Sequence, residues 1–155
     1  MNNAPAMTMR LAEADDVVAI RALLADDDLG RAREDMTDEG LECYQQAFEA
    51  IHSDPRNELF VAILDGELVG TFQTTWIPYL SRGGNERCHI EAVRVSTEKR
   101  GLGIGSKMME FALQQARTRG CLLAQLTTDV RREDAHRFYQ RLGFEVTHHG
   151  MKLML

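Results

Sequence analysis

Cysteine and proline are scarce, at three each in 155 residues. The cysteines, Cys43, Cys88 and Cys121, are odd in number and far apart, with no C-x-x-C pair. A disulfide framework or thiolate metal site is therefore not expected, and the thiols read as buried or idle. Nowhere do about 18 apolar residues follow one another, which excludes a membrane-spanning helix, and "MNNAPAMTMR" lacks the charged-then-apolar start of a signal peptide. A cytoplasmic protein is expected, with no metal and no membrane or nucleic-acid partner. Repeats, low-complexity runs and Pro- or Ser-rich linkers are also missing, so residues 1–155 are expected to form a single domain with its core from about residue 7 onward.

What is present is unevenly distributed. The net charge of −6 conceals an acidic first half, with 5 basic and 16 acidic side chains in residues 1–78, and a basic second half, with 13 and 8 in residues 79–155. An acidic surface suits a cationic ligand and a basic one an anionic ligand, although halves of a sequence need not form separate surfaces once folded. Some of Asp26, Asp27, Asp28, Glu34, Asp35 and Asp38 are expected to border a site for such a cationic ligand.

Periodicity then orders the chain. "MTMRL" (residues 7–11) reads as a strand, and Val17, Ile20 and Leu24 share a helical face. Residues 26–38 read as a loop, and Leu41, Tyr44, Phe48 and Ile51 mark a second helix closed before Pro55. "ELFVAIL" and "ELVGTFQTTW" flank Asp65-Gly66, a hairpin signal because that dipeptide tolerates the positive φ of a tight turn. "SRGGNE" reads as a loop, "RCHIEAVRV" (87–95) as a strand, and a helix runs to about Arg119, capped by Gly120. "LLAQLTT" is a buried strand, "EDAHRFYQRL" a helix stopped by Gly143, and "FEVTHHGMKLML" offers two short terminal strands. The order βααβββαβαββ argues an α/β fold whose central mixed sheet, flanked by helices, is antiparallel at the hairpin and parallel across the crossover at 87–128.

Between that strand and its helix lies "RGLGIGSK", three alternate glycines at a helix start. Unpaired N–H groups and the dipole of a first turn attract an anion, and glycine lets it approach. A P-loop needs G-x-x-x-x-G-K-[ST], but Ser106 separates Gly105 from Lys107. The dinucleotide fingerprint needs a third glycine where Ser106 stands. "HIE" matches the start of a zinc-deaminase motif but lacks the P-C-x-x-C that completes the metal site.

"VRVSTEKRGLGIGSKMM" resembles the acetyl-coenzyme A signature of the GNAT superfamily of N-acetyltransferases, with Arg100, Gly103 and Gly105 as the R/Q-x-x-G-x-G/A core. "DAHRFYQRLGF" is similar to that superfamily's A-x-x-F-Y-x-x-x-G-F segment, and the tail from Thr127 resembles its aminoalkylphosphonate acetyltransferase branch. The resemblance implies a single-domain GNAT-like fold with acetyl-CoA as cosubstrate. It implies that backbone N–H groups across Arg100, Gly101, Leu102, Gly103, Ile104, Gly105 and Ser106 cradle the pyrophosphate. It implies that Val93, Arg94 and Val95 pair with the pantetheine arm. Side chains at Gly101, Gly103 and Gly105 would obstruct the pyrophosphate. A homodimer is common among similar proteins.

Acetyl transfer needs a base for the protonated amine and an acid for the departing thiolate. Strand alternation puts His89, Glu91, Val93 and Val95 on one face and Cys88, Ile90 and Ala92 on the other. Glu91 stands where the family often places a base, acting through water; His89 is the alternative, and a structural pairing of Glu91 with Arg87 or Arg94 is the non-catalytic reading. Tyr139 occupies the place of the family's acid, and its alternative is a packed aromatic like Phe138. His136, His148 and His149 read mainly as surface residues. Arg132 stands where many members carry an asparagine that holds the pantetheine arm, so it is a candidate for a coenzyme phosphate or an anionic acceptor, with Thr128 and Asp129 as substitutes for the lost amide. Arg82, Arg87, Arg131 and Arg132 are the forks available to an acceptor with a negative group. The expected acceptor is a small-molecule amine. A protein or peptide N-acetyltransferase and a non-catalytic acyl-CoA-binding module are the alternatives.

Overall fold

Short apolar runs between turn residues become five strands in the computed structural model, which describes residues 7–155. They are β1 (Met7–Leu11), β2 (Asn57–Leu64), β3 (Glu67–Tyr79), β4 (Asn85–Val95) and β5 (Leu123–Leu126), side by side in that order. β1 to β4 are successively antiparallel. The turn between β2 and β3 has positive φ at both Asp65 (51°) and Gly66 (84°), as the expected tight hairpin requires. β4 reaches β5 through a helical crossover, the connection that parallel neighbours need, so the sheet is mixed.

The helices are α1 (Val17–Leu24), α2 (Asp28–Arg31), α3 (Asp38–Ser53), α4 (Ile104–Arg119) and α5 (Glu133–Arg141). Val17 and Ile20 of α1 and Phe48 of α3 bury against Val61 of β2 and Ala12. α4 sinks Met108, Met109 and Ala112 completely. Its Phe111 meets the stacked pair Phe60 and Phe72 edge-on, with centroids 5.2 and 6.4 Å away. Glycine at 70 permits this approach of helix to sheet, because a Cβ there would lie 2.6 Å from the Met108 sulfur. Burying side chains of this size stabilises by roughly 1.5–3 kcal/mol each, and that anchoring fixes where α4 begins.

Two expectations need correction. The acidic loop at 26–38 contains the short helix α2, started by Asp27, whose carboxylate accepts the Gly30 N–H at 2.7 Å. The two terminal strands are absent: residues 144–155 form no regular element, and Val146, Met151, Leu153 and Met154 are exposed. Apolar residues can fit a strand, but only a hydrogen-bonded neighbour makes one, and this segment has none. The chain comprises two units, Met1–Gln125, which holds nearly the whole sheet and α1 to α4, and Leu126–Leu155, which holds α5.

Candidate active site

The end of β4 passes into the glycine loop through a 3-10 turn, Thr97–Lys99. Arg100 is extended, and Gly101 and Gly103 have φ of 80° and 76°, left-handed values that non-glycine residues rarely adopt. A Cβ at either glycine would meet nothing within 4 Å. The backbone conformation therefore demands glycine at both positions, and the space over the loop stays open. Gly105 differs from its neighbours in lying inside α4.

No side chain caps α4, and its first intrahelical bond runs from the Lys107 N–H to the Gly103 carbonyl at 3.1 Å. The N–H groups of Ile104, Gly105 and Ser106 thus lie in the first turn without intrahelical partners. Ile104 is buried and pins that turn, whereas Leu102 and Ser106 are exposed. Main-chain donors arranged in this way suit an anion.

Part of the acidic stretch expected to border an acceptor channel is engaged here instead. The Asp26 carboxylate accepts from the Thr97 N–H (2.7 Å) and Oγ1 (3.2 Å) across 71 residues of sequence. Asp27 stands 4.0 Å from Arg100, and Lys99 pairs with Glu67 at 3.1 Å. Glu34 accepts the Tyr44 hydroxyl at 2.8 Å, and backbone and side-chain donation from Thr37 holds the Asp35 carboxyl below its usual range.

Simple alternation along β4 breaks at one residue. Gln73 pairs with Glu91 and Thr71 with Arg94, so Phe72 alone faces both Ala92 and Val93, and Ala92 carries a φ of 52°. This is a β-bulge, a strained left-handed alanine costing on the order of 1–3 kcal/mol. Glu91 lies just before it and Val93, Arg94 and Val95 just after. The expected faces hold up to Glu91, since Cys88 and Ile90 are buried on one side while His89 and Glu91 meet on the other. Beyond the bulge, the two-residue pattern no longer assigns Val93 and Val95 to the Glu91 face.

His89 Nε2 is 3.2 Å from Glu91 Oε2, with the histidine side chain 19% and the glutamate 51% exposed. The Gln125 amide nitrogen lies 3.4 Å from His89 Nδ1. An amide nitrogen only donates, which makes Nδ1 the acceptor and puts the ring proton on Nε2, facing Glu91. Asn57, Thr75 and Gln73 extend this polar face across β2 and β3: Asn57 Oδ1 accepts from Thr75 Oγ1 (2.7 Å) and Gln73 Nε2 (3.2 Å). Behind it, burial pushes the Cys88 thiol up to about 12, and it pushes Cys121 up too, so neither is a thiolate nucleophile near neutral pH.

In the second unit, Tyr139 lies on α5 between Phe138 and Phe144, with ring centroids 5.1 and 5.9 Å away, both edge-on. Arg132 immediately precedes α5 and its N–H bonds the Asp129 carbonyl at 2.9 Å. Asp129 is gripped by both the side chain and N–H of Arg131, which hold its carboxyl far below the usual range. Its polar capacity, and that of Arg131, is spent locally. His136 donates from Nε2 to the Asp129 carbonyl at 2.9 Å, and His148 and His149 are exposed. Among the described residues no cluster of His, Cys, Asp or Glu suits a metal, and no helix is long and apolar enough to cross a membrane.

An uncapped, glycine-approached helix start after a bulged central strand defines a class of fold, and comparison with known proteins agrees. The sequence matches the Acetyltransferase (GNAT) family over residues 19–144, and the chain belongs to that family as an N-acetyltransferase. It is similar to the aminoalkylphosphonate N-acetyltransferase of Salmonella typhimurium, with 33% identity over 107 residues, 69% of either chain. A crystal structure described as a transcriptional regulator from Bacillus halodurans C-125 superposes with a TM-score of 0.92 at 44% identity, covering 97% of this chain and 100% of that one. The glucosamine-6-phosphate N-acetyltransferase of Arabidopsis thaliana shares the fold, with a TM-score of 0.76 at 22% identity over 96% and 98% of the two chains.

Proposed function

We propose that residues 1–155 form one domain that transfers acetyl from acetyl-CoA to the amine of a small molecule by direct attack on the thioester. The observation that supports this reading is the bulge at Ala92, with a half-exposed carboxylate, Glu91, immediately before it and, immediately after it, the strand end and glycine loop that would hold the cofactor. The loop fits the group: three N–H donors without intrahelical partners, two left-handed glycines and open space suit a pyrophosphate, with Arg100 at its edge and Arg132 a further candidate for a phosphate. The main chain of Val93, Arg94 and Val95 would pair with the pantetheine arm. Acetyl-CoA, when bound, supplies an acyl group activated as a thioester.

Glu91 is the base in this reading and takes the proton of the ammonium, directly or through water, so that the nitrogen lone pair can attack. His89 is a positioning residue, because its Nε2–H points at the carboxylate and leaves Nδ1 to Gln125. Tyr139 Oη holds the proton that the leaving sulfur takes up. No acyl-cysteine is needed, and the protonated state of Cys88 agrees with that.

The description of the Bacillus halodurans relative favours a second reading, a regulatory module that binds acyl-CoA without turnover, and a peptide amine is a third acceptor class. Assaying acetyl-CoA turnover with free amines and with peptides, for wild type and Tyr139→Phe, separates them. Acetylation of free amines, with kcat lowered roughly 10- to 1000-fold in the variant and little change in acetyl-CoA affinity, is expected. Acetyl-CoA binding without turnover of any amine favours the regulatory reading, and turnover confined to peptides the third.

A further inference from the structure

We propose that Tyr79 and Arg87 form a seat for a negatively charged group on the acceptor, a deepening that rests on the acetyl-transfer reading. Ile77 pairs with Arg87 and Tyr79 with Asn85 across β3 and β4, so these residues share the sheet face of Thr75, His89, Gln73 and Glu91. The Arg87 guanidinium carbon sits 5.2 Å from the Tyr79 ring centroid. Arg87 Nε and Tyr79 Oη are both buried, and neither has a hydrogen-bond partner. Other arginines of the same unit are engaged, Arg119 with Glu86 and Arg100 beside Asp27. Arg87, among the described residues, faces an aromatic ring and no carboxylate.

Two buried donors with no acceptor between them, one carrying a full positive charge, call for an acceptor-rich anion such as a phosphate, phosphonate or carboxylate. Pro78, Leu80, Gly84 and Asn85 line a shallow hollow around Tyr79 that opens to solvent. Arg87 lies four positions before Glu91 on β4, about 13 Å of strand. A molecule with its amine at Glu91 and its anion at Arg87 is therefore longer than a two-carbon aminophosphonate and nearer an amino-sugar phosphate or a long ω-aminoalkyl phosphate.

The test compares kcat/KM for 6-aminohexyl phosphate and 6-aminohexan-1-ol in wild type, Arg87→Met and Tyr79→Phe. In parallel, calorimetry follows hexyl phosphate binding with coenzyme A at saturation, so that the glycine loop is filled. Wild type should prefer the phosphate at least tenfold, the ratio should collapse toward one in Arg87→Met, and hexyl phosphate binding should vanish with it. Tyr79→Phe should lower the ratio partway with an unchanged or higher Tm, because it deletes a buried hydroxyl that has no partner. That variant and the wild-type ratio decide the matter even if Arg87→Met fails to fold. Equal turnover of both amines without hexyl phosphate binding overturns the seat while acetyl transfer stands. Failure of every amine to be acetylated overturns the underlying reading, and the seat with it.

Discussion

The two ends of β4 encode their chemistry in different ways. After Val95 the glycine loop presents main-chain donors and left-handed φ values, and its side chains would matter mostly by being absent. Before Ala92 the strand works through what its side chains hold: Glu91 held by His89, His89 by Gln125, and Arg87 laid on Tyr79. A site made of backbone announces itself in a sequence, because few residue patterns permit that backbone. A site made of side chains does not, since a histidine or arginine on a strand has many ordinary uses.

The largest expected effect falls on the side-chain end. Glu91→Gln keeps the shape and the contact with His89 but removes the proposed base, and kcat should fall roughly 100- to 10,000-fold with acetyl-CoA affinity little changed. His89→Asn should cost less, about tenfold, because it loosens Glu91 without abolishing it. Stopped-flow or steady-state kinetics with the same amine measures both. A larger loss at His89 than at Glu91 would reverse the assignment of base and positioner.

That difference also explains what could be read from residues alone. The Asp65-Gly66 hairpin, the strand at 87–95 and the start of α4 follow from local φ preference and periodicity, and the structure has them. The bulge at Ala92 was not legible, because alanine gives no sign of positive φ; the pairing of Phe72 with two residues forces it. Nor was the Asp26–Thr97 contact, which joins elements 71 positions apart. The tail 144–155 failed in the opposite direction, its pattern suiting strands whose partner ladder is absent. The partnership of Tyr79 with Arg87 is not legible in sequence because it exists only through the β3–β4 register, although an aromatic diagonal to a basic residue in a hairpin is a signal that cross-strand counting can find.

The backbone end should break more modestly but more specifically. Gly103→Val forces a β-branched residue to a φ of 76° and fills the space above the first turn of α4. Strain of about 1–3 kcal/mol, together with the obstruction, should weaken coenzyme A binding by tenfold or more by calorimetry. The fold should survive, because a side chain there meets no protein atom within 4 Å. Wild-type affinity in a folded Gly103→Val would mean that the loop is only a turn, and the contrast between the two ends of β4 would lose its basis.

The smallest effect concerns a side chain that bonds the backbone leading into the glycine loop. Asp26 accepts the first N–H of the 3-10 turn and the hydroxyl of the same threonine, and so holds the approach to Arg100 and Gly101 from the far end of α1. Losing a partly exposed hydrogen bond of this kind costs about 0.5–1.5 kcal/mol, so Asp26→Ala should raise the KM for acetyl-CoA by roughly 2- to 12-fold with kcat at saturation nearly intact. Asp26→Asn retains an oxygen that can accept from the Thr97 N–H, and it should recover most of the loss if geometry is what matters. If Asn behaves like Ala, the charge of Asp26 rather than its hydrogen bonds sets the loop. A fall in kcat with unchanged KM would instead place Asp26 on the acceptor side of the site, where its carboxylate would serve the amine rather than the cofactor.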